Sequence, residues 1–510
     1  RPYNLKPKRN RAIDTTPFNP DGWQLALHKI ELKDSRFFLD NPDEPAGQPG
    51  LYDEWKMDIQ PIQLRAEDIK INGDTLTGDL KFLSAKDRSG VEIKEMRAKV
   101  TVSPKLSECK SLYLATNNSV LQDYYAMHYD RFPDFIDYMS KVKMEGHFKA
   151  ADVAMDDIAF FAPEMALFKG MQVRLDGYGG GTVDQLYAAN VTINDGRSQL
   201  EVGDFRMEGL PDIDRTTMSF QNSYLKTTGA HLIHYFPAIA SGNELNWLAL
   251  KNITAPFDLL GSVNSFKVNT NIESGLGKLG VDGNFSYLLE GIPEYDAKLR
   301  LDRFDLGAFM NTDLLKQATG NFNVAGKRFD PEQLQVNTEG KFEWIETKSY
   351  AFHNLSIKGL LSPGLFEGKF DLEDENAVLN FEGSIRNLLS KPEGDIKADI
   401  KHLNLKSLGL VEDETTLAGL LEGHFEGLSV EQMLGEATLK QMTVKQDADI
   451  LDIDSIYLKS LVEDDIRYLY LGTSNLSARL WGDYKIVELP KTLNHFLSKY
   501  LPNYFKAPTK

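Results

Sequence analysis

Residues Phe366 to Ile385 read FEGKFDLEDENAVLNFEGSI. Phe366, Gly368, Phe370 and Leu372 alternate with Glu367, Lys369 and Asp371, and Ala377, Leu379, Phe381 and Ile385 alternate with Val378, Asn380, Glu382 and Ser384. A period of two marks strands with one buried face, and Asp374, Glu375 and Asn376 supply a turn between the two runs. The unit reads as a β-hairpin with a single apolar face. One hundred residues earlier, Phe266 to Phe285 reads FKVNTNIESGLGKLGVDGNF and aligns without a gap. Phe366 falls on Phe266, Leu372 on Ile272, Leu379 on Leu279, Phe381 on Val281 and Ile385 on Phe285, while Phe370 over Thr270 is the exception.

The similarity continues beyond the hairpin. Asp395 to Leu405 echoes Asp296 to Leu306 at a spacing of ninety-nine, and Asn354 to Lys358 matches Ser455 to Lys459 loosely. Each echo leads into a short helix-prone piece, around Leu314-Leu315 and around Val430 to Leu434. Self-similarity at a fixed period marks a stacked architecture, and a period this long implies several strands per repeat.

Composition narrows the functions available. Against 57 Lys and Arg stand 75 Asp and Glu, a net charge of -18, which disfavours a nucleic-acid partner. With 42% apolar and 10% aromatic residues, a large apolar area must be placed somewhere. Cys109 is the only cysteine, so no internal disulfide or thiolate metal cluster forms, and it reads as an inert thiol. No run approaches the roughly 18 apolar residues of a membrane span. The chain begins at Arg1 without Met, pointing to a processed or partial protein whose signal or anchor lies upstream.

Along the chain, residues 1–22 are a basic, extended lead-in. Residues 23–140 form a β region ending in a helical segment, Leu121 to Met139, broken at Pro133. Residues 141–260 and 261–480 are β-groove segments, the second containing the repeats, and Thr227 to Ile239 is a helical piece. Residues 481–510 carry an amphipathic helix from Val487, with Pro502 ending it near Leu501. Strands outnumber helices several-fold, and almost every one has a single apolar face. Either two sheets close on each other, or one long, mostly antiparallel sheet curls over itself around a dry channel; the repeats favour the second. About 40 strands at about 4.8 Å would stack to roughly 190 Å.

Motifs for chemistry are weak. Gly275-Leu-Gly277-Lys-Leu-Gly280 satisfies G-x-G-x-x-G, but a strand follows it where a dinucleotide site needs a helix, so it reads as a hairpin turn. Gly177 to Thr182 reads as a strand break. Asp447, Asp449, Asp452 and Asp454 lack the glycine and terminal Glu of a calcium loop and read as a solvated strand edge. His231 and His234 have no third ligand nearby in sequence, and no nucleophile motif is present. Nothing here points to an enzyme, a metal or a cofactor.

Three central segments resemble a known family: Asp157-Ile-Ala-Phe-Phe-Ala-Pro-Glu164, Val173-Arg-Leu-Asp-Gly-Tyr-Gly-Gly-Gly-Thr182 and Glu208-Gly-Leu-Pro-Asp-Ile213. With Trp23 to Leu39 and the repeats at Leu299 to Leu306 and Ile396 to Leu405, they resemble the TamB proteins of Bacteroidota, within the AsmA-like superfamily of bridge-like lipid transfer proteins. The resemblance implies a U-shaped β-tube, or β-taco, with an apolar lumen. It implies a periplasmic location in a Gram-negative bacterium and an inner-membrane anchor upstream of residue 1. The implied function is a bridge carrying phospholipid acyl chains toward the outer membrane in support of its biogenesis. An outer-membrane barrel of the Omp85 type is the implied partner, and a scaffold or chaperone-like subunit assisting outer-membrane protein assembly is the alternative. The residues expected to line the groove are Phe266, Val268, Ile272, Leu279, Val281, Phe285, Leu299, Leu301, Phe370, Leu372, Leu379, Phe381, Ile385, Ile396 and Ile400.

Overall fold

The computed structural model describes residues 17, 19–43, 47–53, 55–161, 169–210, 212, 215–235, 245–287, 291–328, 333–387, 392–427, 434–446, 449–485 and 488–500. The lead-in at 1–16, most of the segment at 162–168 and the piece at 430–433 therefore lie outside the described residues. The chain divides into two units, Arg1–His231 with Asn252–Thr270, and Leu232–Lys251 with Asn271–Lys510.

The first unit contains β1 (Gln24–Asp40), β2 (Lys56–Asn72), β3 (Thr75–Lys86), β4 (Glu92–Ser103), β5 (Leu106–Ala115) and β6 (Val120–His128). It continues with β7 (Lys143–Ala154), β8 (Gln172–Thr182), β9 (Gln185–Asn194), β10 (Gln199–Glu208), β11 (Thr217–Thr228) and β12 (Asn252–Gly261). Each strand pairs antiparallel with the next in sequence. β13 (Phe266–Ser274) straddles the division.

The second unit holds β14 (Gly277–Ser286), β15 (Glu294–Asp305), β16 (Leu315–Lys327), β17 (Gln335–Thr347), β18 (Ala351–Ser362) and β19 (Leu365–Glu373). After these come β20 (Ala377–Arg386), β21 (Glu393–Asn404), β22 (Thr415–Glu426), β23 (Leu434–Gln446), β24 (Asp449–Glu463), β25 (Ile466–Thr473) and β26 (Ser477–Trp481). They form the same antiparallel meander. The expected all-β, antiparallel class is what the structure shows, and the sheet is not closed: among the described residues β1 pairs only with β2 and β26 only with β25.

The described residues form 26 strands rather than about 40, because many are long; β1 has 17 residues and β17 has 13. The two self-similar hairpins are β13 with β14 and β19 with β20, so one repeat is six strands. The turn Asp374 to Asn376 and the turn Gly275 to Leu276 lie where the alternation placed them.

What bends the sheet was not expected. Residues with positive φ interrupt six of the seven consecutive strands β5 to β11: Ser111, Asp123, Ala150, Gly177, Asn190 and Asn222. Each coincides with a break in register, and from β5 to β9 successive breaks face one another across the ladder, while β10 pairs on both sides without a break. A β-bulge kinks its strand and increases the twist. Bulges aligned from strand to strand therefore crease the whole sheet. The residue after the bulge sits inside the bend: Leu112, Ala151, Val191 and Ser223 are only 6%, 0%, 8% and 2% exposed. The amides thrown out of the ladder are recovered by neighbouring strands. Ala150 N–H donates to Asp176 Oδ1 at 2.6 Å, Asn222 N–H to Asp258 Oδ1 at 2.8 Å, and in the second unit Arg303 N–H to Thr319 Oγ1 at 3.0 Å.

Several local expectations change. Gly177 to Thr182 is not a break; it ends the continuous β8, with Gly177 forming its bulge at φ +149 because a Cβ there would lie 2.7 Å from Val191 Cγ2. Leu121 to Met139 is helical only in its second half, as a 3-10 turn Phe132–Asp137 and α1 (Tyr138–Lys141), while its first half is β6; a short α2 (Met155–Ile158) follows β7. Its aromatic residues suit a pleated surface better than a helix. The helical piece after β11 is α3 (Gly229–Tyr235), and 236–239 lie outside the described residues. The helix expected near Leu314 lies earlier, as α4 (Leu306–Phe309) capped by Asp305, and Leu315 opens β16. The last helix is α5 (Leu489–Tyr500); Phe496 and Tyr500 are 54% and 70% exposed, so these two rings are not buried against a sheet.

Strands alternate in direction, so every connection leaving an odd-numbered strand emerges at one rim. In the second unit the packed core gathers there. Phe304 is 2% exposed, and the Phe309 ring of α4 lies against both it and Trp247 at centroid distances of 5.7 and 5.5 Å. Further along the same rim, Leu372, Ala377 and Leu408 form a buried cluster with Tyr350, Phe352 and Leu355 packed around it. Asp374 anchors that end. It accepts from Tyr350 Oη at 2.6 Å and from the His353 and Asn376 amides, both at 2.9 Å, with His353 Nδ1 at 3.2 Å. Burial opposes its ionisation, but these hydrogen bonds outweigh burial and hold its carboxyl below the ordinary range.

Two consequences are measurable. Ala150 holds a left-handed conformation at φ +48 that costs an L-residue about 1 kcal/mol, so Ala150→Gly should raise stability to urea by up to about that amount. A depressed carboxylate contributes stability above the unfolded pKa of about 3.9 and loses it as pH falls through the folded value. Asp374→Ala should therefore cost about 2 kcal/mol at neutral pH, with the gap to the parent narrowing as pH drops below about 4 in parallel denaturation curves.

Candidate functional site

Register converts the alternating pattern into a surface. Across the second unit, Val281 faces Leu299, Leu299 faces Phe322, Phe322 faces Gly340, Gly340 faces Ile357 and Ile357 faces Phe370. The row goes on through Phe381, Ala398, Leu421, Leu439 and Ile456. A second row runs beside it from Leu279 through Leu301, Gly320, Phe342, Leu355, Leu372 and Leu379 to Ile400. Directly opposed residues share a face, so these rows make one apolar surface crossing eleven consecutive strands, β14 to β24.

Among the described residues the strands of this surface make their main close backbone contacts with their ladder neighbours, apart from α4 against β16. Most side chains in its middle are half-buried; Leu301, Leu372, Phe381 and Ile400 are buried. Aromatic rings fill the space over glycines: a Cβ on Gly340 would sit 2.4 Å from Phe322 Cδ1, so only glycine admits that ring. Phe370 and Phe381 stack at 4.4 Å with an 11° interplanar angle.

The opposite face is charged. Lys358 pairs with Glu339, and Lys369 with Glu382, at 3.0 Å, while Lys440 and Lys397 reach Glu422 at 3.1 and 3.7 Å. Hydrogen bonding from Lys440 and the charges of Lys440 and Lys397 hold the Glu422 carboxyl below its usual range. Such exposed pairs contribute little to stability. An open recess of about 1000 Å³ lies over this face, lined by Glu367, Lys369, Glu382, Asp395, Lys397, Glu422 and His424 among others. A twisted sheet is saddle-shaped, so each face can be concave in one direction.

Of the fifteen residues expected to line a groove, twelve lie on the one face of the second unit. These are Leu279, Val281, Phe285, Leu299, Leu301, Phe370, Leu372, Leu379, Phe381, Ile385, Ile396 and Ile400. Phe266, Val268 and Ile272 lie along β13, half-buried and alternating with exposed Lys267, Asn269 and Asn271, hence on one face of that strand. Not named in advance are Phe322, Phe342, Leu355, Ile357, Leu421, Leu439 and Ile456, which share the surface. Their strands carry the same period-two signal; Leu355, Ile357 and Ile456 fall in the loose match of Asn354–Lys358 with Ser455–Lys459, whereas Phe322, Phe342, Leu421 and Leu439 have no self-similar partner. Thr270, the mismatch between the two hairpins, has a buried Oγ1 without a hydrogen-bond partner.

The first unit has an equivalent face. Val100 faces Cys109, Cys109 faces Tyr125, Tyr125 faces Gly146 and Gly146 faces Gly179, with Met127 and Met144 beside them. Burial and the neighbouring Glu108 carboxylate push the Cys109 thiol above its ordinary pKa, as suits an unreactive thiol. Asp449, Asp452 and Asp454 lie on the part of β24 that extends past β25, exposed and paired on one side only; Asp447 lies outside the described residues. The described residues contain no cluster of metal-ligating side chains and no helix long and apolar enough to cross a membrane.

No protein-family model, curated protein or solved structure matches the chain.

An unpaired hydroxyl on this surface costs free energy that a methyl does not. Thr270→Val should stabilise the chain by about 1 kcal/mol in urea denaturation, and a loss of stability would show the hydroxyl to be satisfied in solution.

Proposed function

We propose that this chain is a lipid-handling protein whose apolar face holds the acyl chains of phospholipids and lets them pass along it. The observation behind this reading is the continuity of the apolar surface, eleven strands wide in the second unit, with its middle rows half-exposed. Removing an acyl chain from water recovers about 0.8 kcal/mol per CH₂, so two long chains bind firmly. Because successive rows offer similar Leu, Ile, Val and Phe contacts, moving one strand further exchanges like for like. Binding is strong and sliding is nearly neutral. The polar headgroup stays at the rim away from the packed core, where Leu361 remains 37% exposed.

In this reading the protein is not an enzyme and uses no cofactor. Its setting is the periplasm, as a bridge between inner and outer membranes that supports outer-membrane biogenesis. An inner-membrane anchor lies upstream, and an Omp85-type barrel is its partner at the far end. The scaffold alternative, assisting assembly of outer-membrane proteins, is favoured by one observation: along one rim, at Phe304, Leu372, Ala377 and Leu408, the apolar surface is packed against the chain itself.

Purified protein should carry phospholipid at a fixed ratio by mass spectrometry. Phe381→Asp and Leu279→Asp should cut that ratio at least about fivefold while the circular dichroism of the sheet is kept. Folded variants that retain the full lipid load, or a parent that carries none, would favour the scaffold.

A further inference from the structure

We propose that two copies of this chain join through β1, antiparallel and centred on Leu32, so that the sheet and its apolar face continue from one copy into the other. The inference does not rest on the lipid reading. β1 is a 17-residue strand with no proline, and among the described residues its outer backbone edge has no partner. Natural sheets blunt such edges or cover them. Its apolar side chains show the same vacancy. Leu25 and Leu27 are each 36% exposed, whereas their partners on β2, Ile71 and Ile69, are 8% and 7% exposed. Leu32, Phe37 and Leu39 are exposed by 42%, 47% and 36%.

The strand is complementary to itself. In the antiparallel register centred on Leu32, Leu25 meets Leu39, Leu27 meets Phe37 and Leu32 meets its own copy. Glu31 meets Lys33 on both sides of the centre. Ile30 against Asp34 is the mismatch, and it falls where β1 bulges, with Asp34 at φ +47. The two-fold axis of such a pairing is perpendicular to the sheet, which leaves each face on its own side. The other free edge is a poor substitute: β26 has five residues, too few to cover β1 head to tail.

Sedimentation equilibrium should report a dimer. In a Cys109→Ser background, Leu32→Cys alone should be joined by a short bifunctional thiol reagent. Leu27→Cys alone should join at least about tenfold less, and an equal mixture of Leu27→Cys and Phe37→Cys chains should recover the yield. Lys33→Glu should weaken the dimer about tenfold by facing Glu31 of the other copy, and adding Glu31→Lys should restore it. A monomer at every concentration, equal joining from all three cysteine positions, or a ladder of higher species from head-to-tail growth would overturn the proposal.

Discussion

A sheet of one layer has two faces and only one of them can be solvated cheaply when the chain is 42% apolar. Everything else in this structure answers that constraint. The charged face is left to water, where Lys358, Lys369 and Lys440 pair loosely with carboxylates on neighbouring strands. For the apolar face there are too few helices to lay across it. Within the first unit the strands bend instead, at the aligned bulges of Ser111, Asp123, Ala150, Gly177, Asn190 and Asn222.

Bending is costly to the ladder, and the chain offsets the cost locally. A bulge removes a hydrogen bond and forces a left-handed residue; Asp176, Asp258 and Thr319 recover displaced amides, and the residue inside the bend gains burial. The second unit adds another device, packing loop residues such as Phe309 and Leu408 over one rim. The outcome is a surface packed along one margin and half-exposed across its middle. Such a surface stays folded by itself and still has room for an apolar ligand, which is a different condition from a closed sandwich core, where packing is complete.

The sequence made the hairpins readable because alternation and turn residues are local. Phe370, Leu372, Leu379 and Phe381 occupy one face as their spacing requires, and Gly275-Leu276 turns into β14, which takes up Gly277 and Gly280. The crease was not readable, since it exists only when residues on separate strands, such as Phe148 and Gly177 or Tyr178 and Ala189, come into register, and Asn190 or Ala150 alone looks like any strand residue. Gly177 was visible but seemed to end a strand that in fact runs through it. The helix expected over Tyr124 and Tyr125 failed for a related reason. Those rings serve opposite faces of β6, so their run of aromatic residues resembles a helical cluster until the neighbouring strands show that Tyr125 faces Gly146 and Tyr124 faces His147. Of the candidate surface, the fifteen residues come from the repeating segments, while Phe322, Phe342 and Leu439 required the ladder itself.

The repeat length has its own logic. Six strands separate the hairpin at β13 from the one at β19, and six is even. Because strands alternate in direction, an even number returns the chain to the same rim, so Gly275-Leu276 and Asp374 to Asn376 turn on the same side. The same number preserves which side chains face inward, so Leu279 and Leu379 meet the same surface. An odd number would place the second hairpin's turn, and the loops packed beside it, on the opposite rim. Duplication in units of six strands can therefore lengthen the apolar surface while keeping its packed rim on one side, whereas insertion of a single strand would move the packed rim to the other side from that point onward.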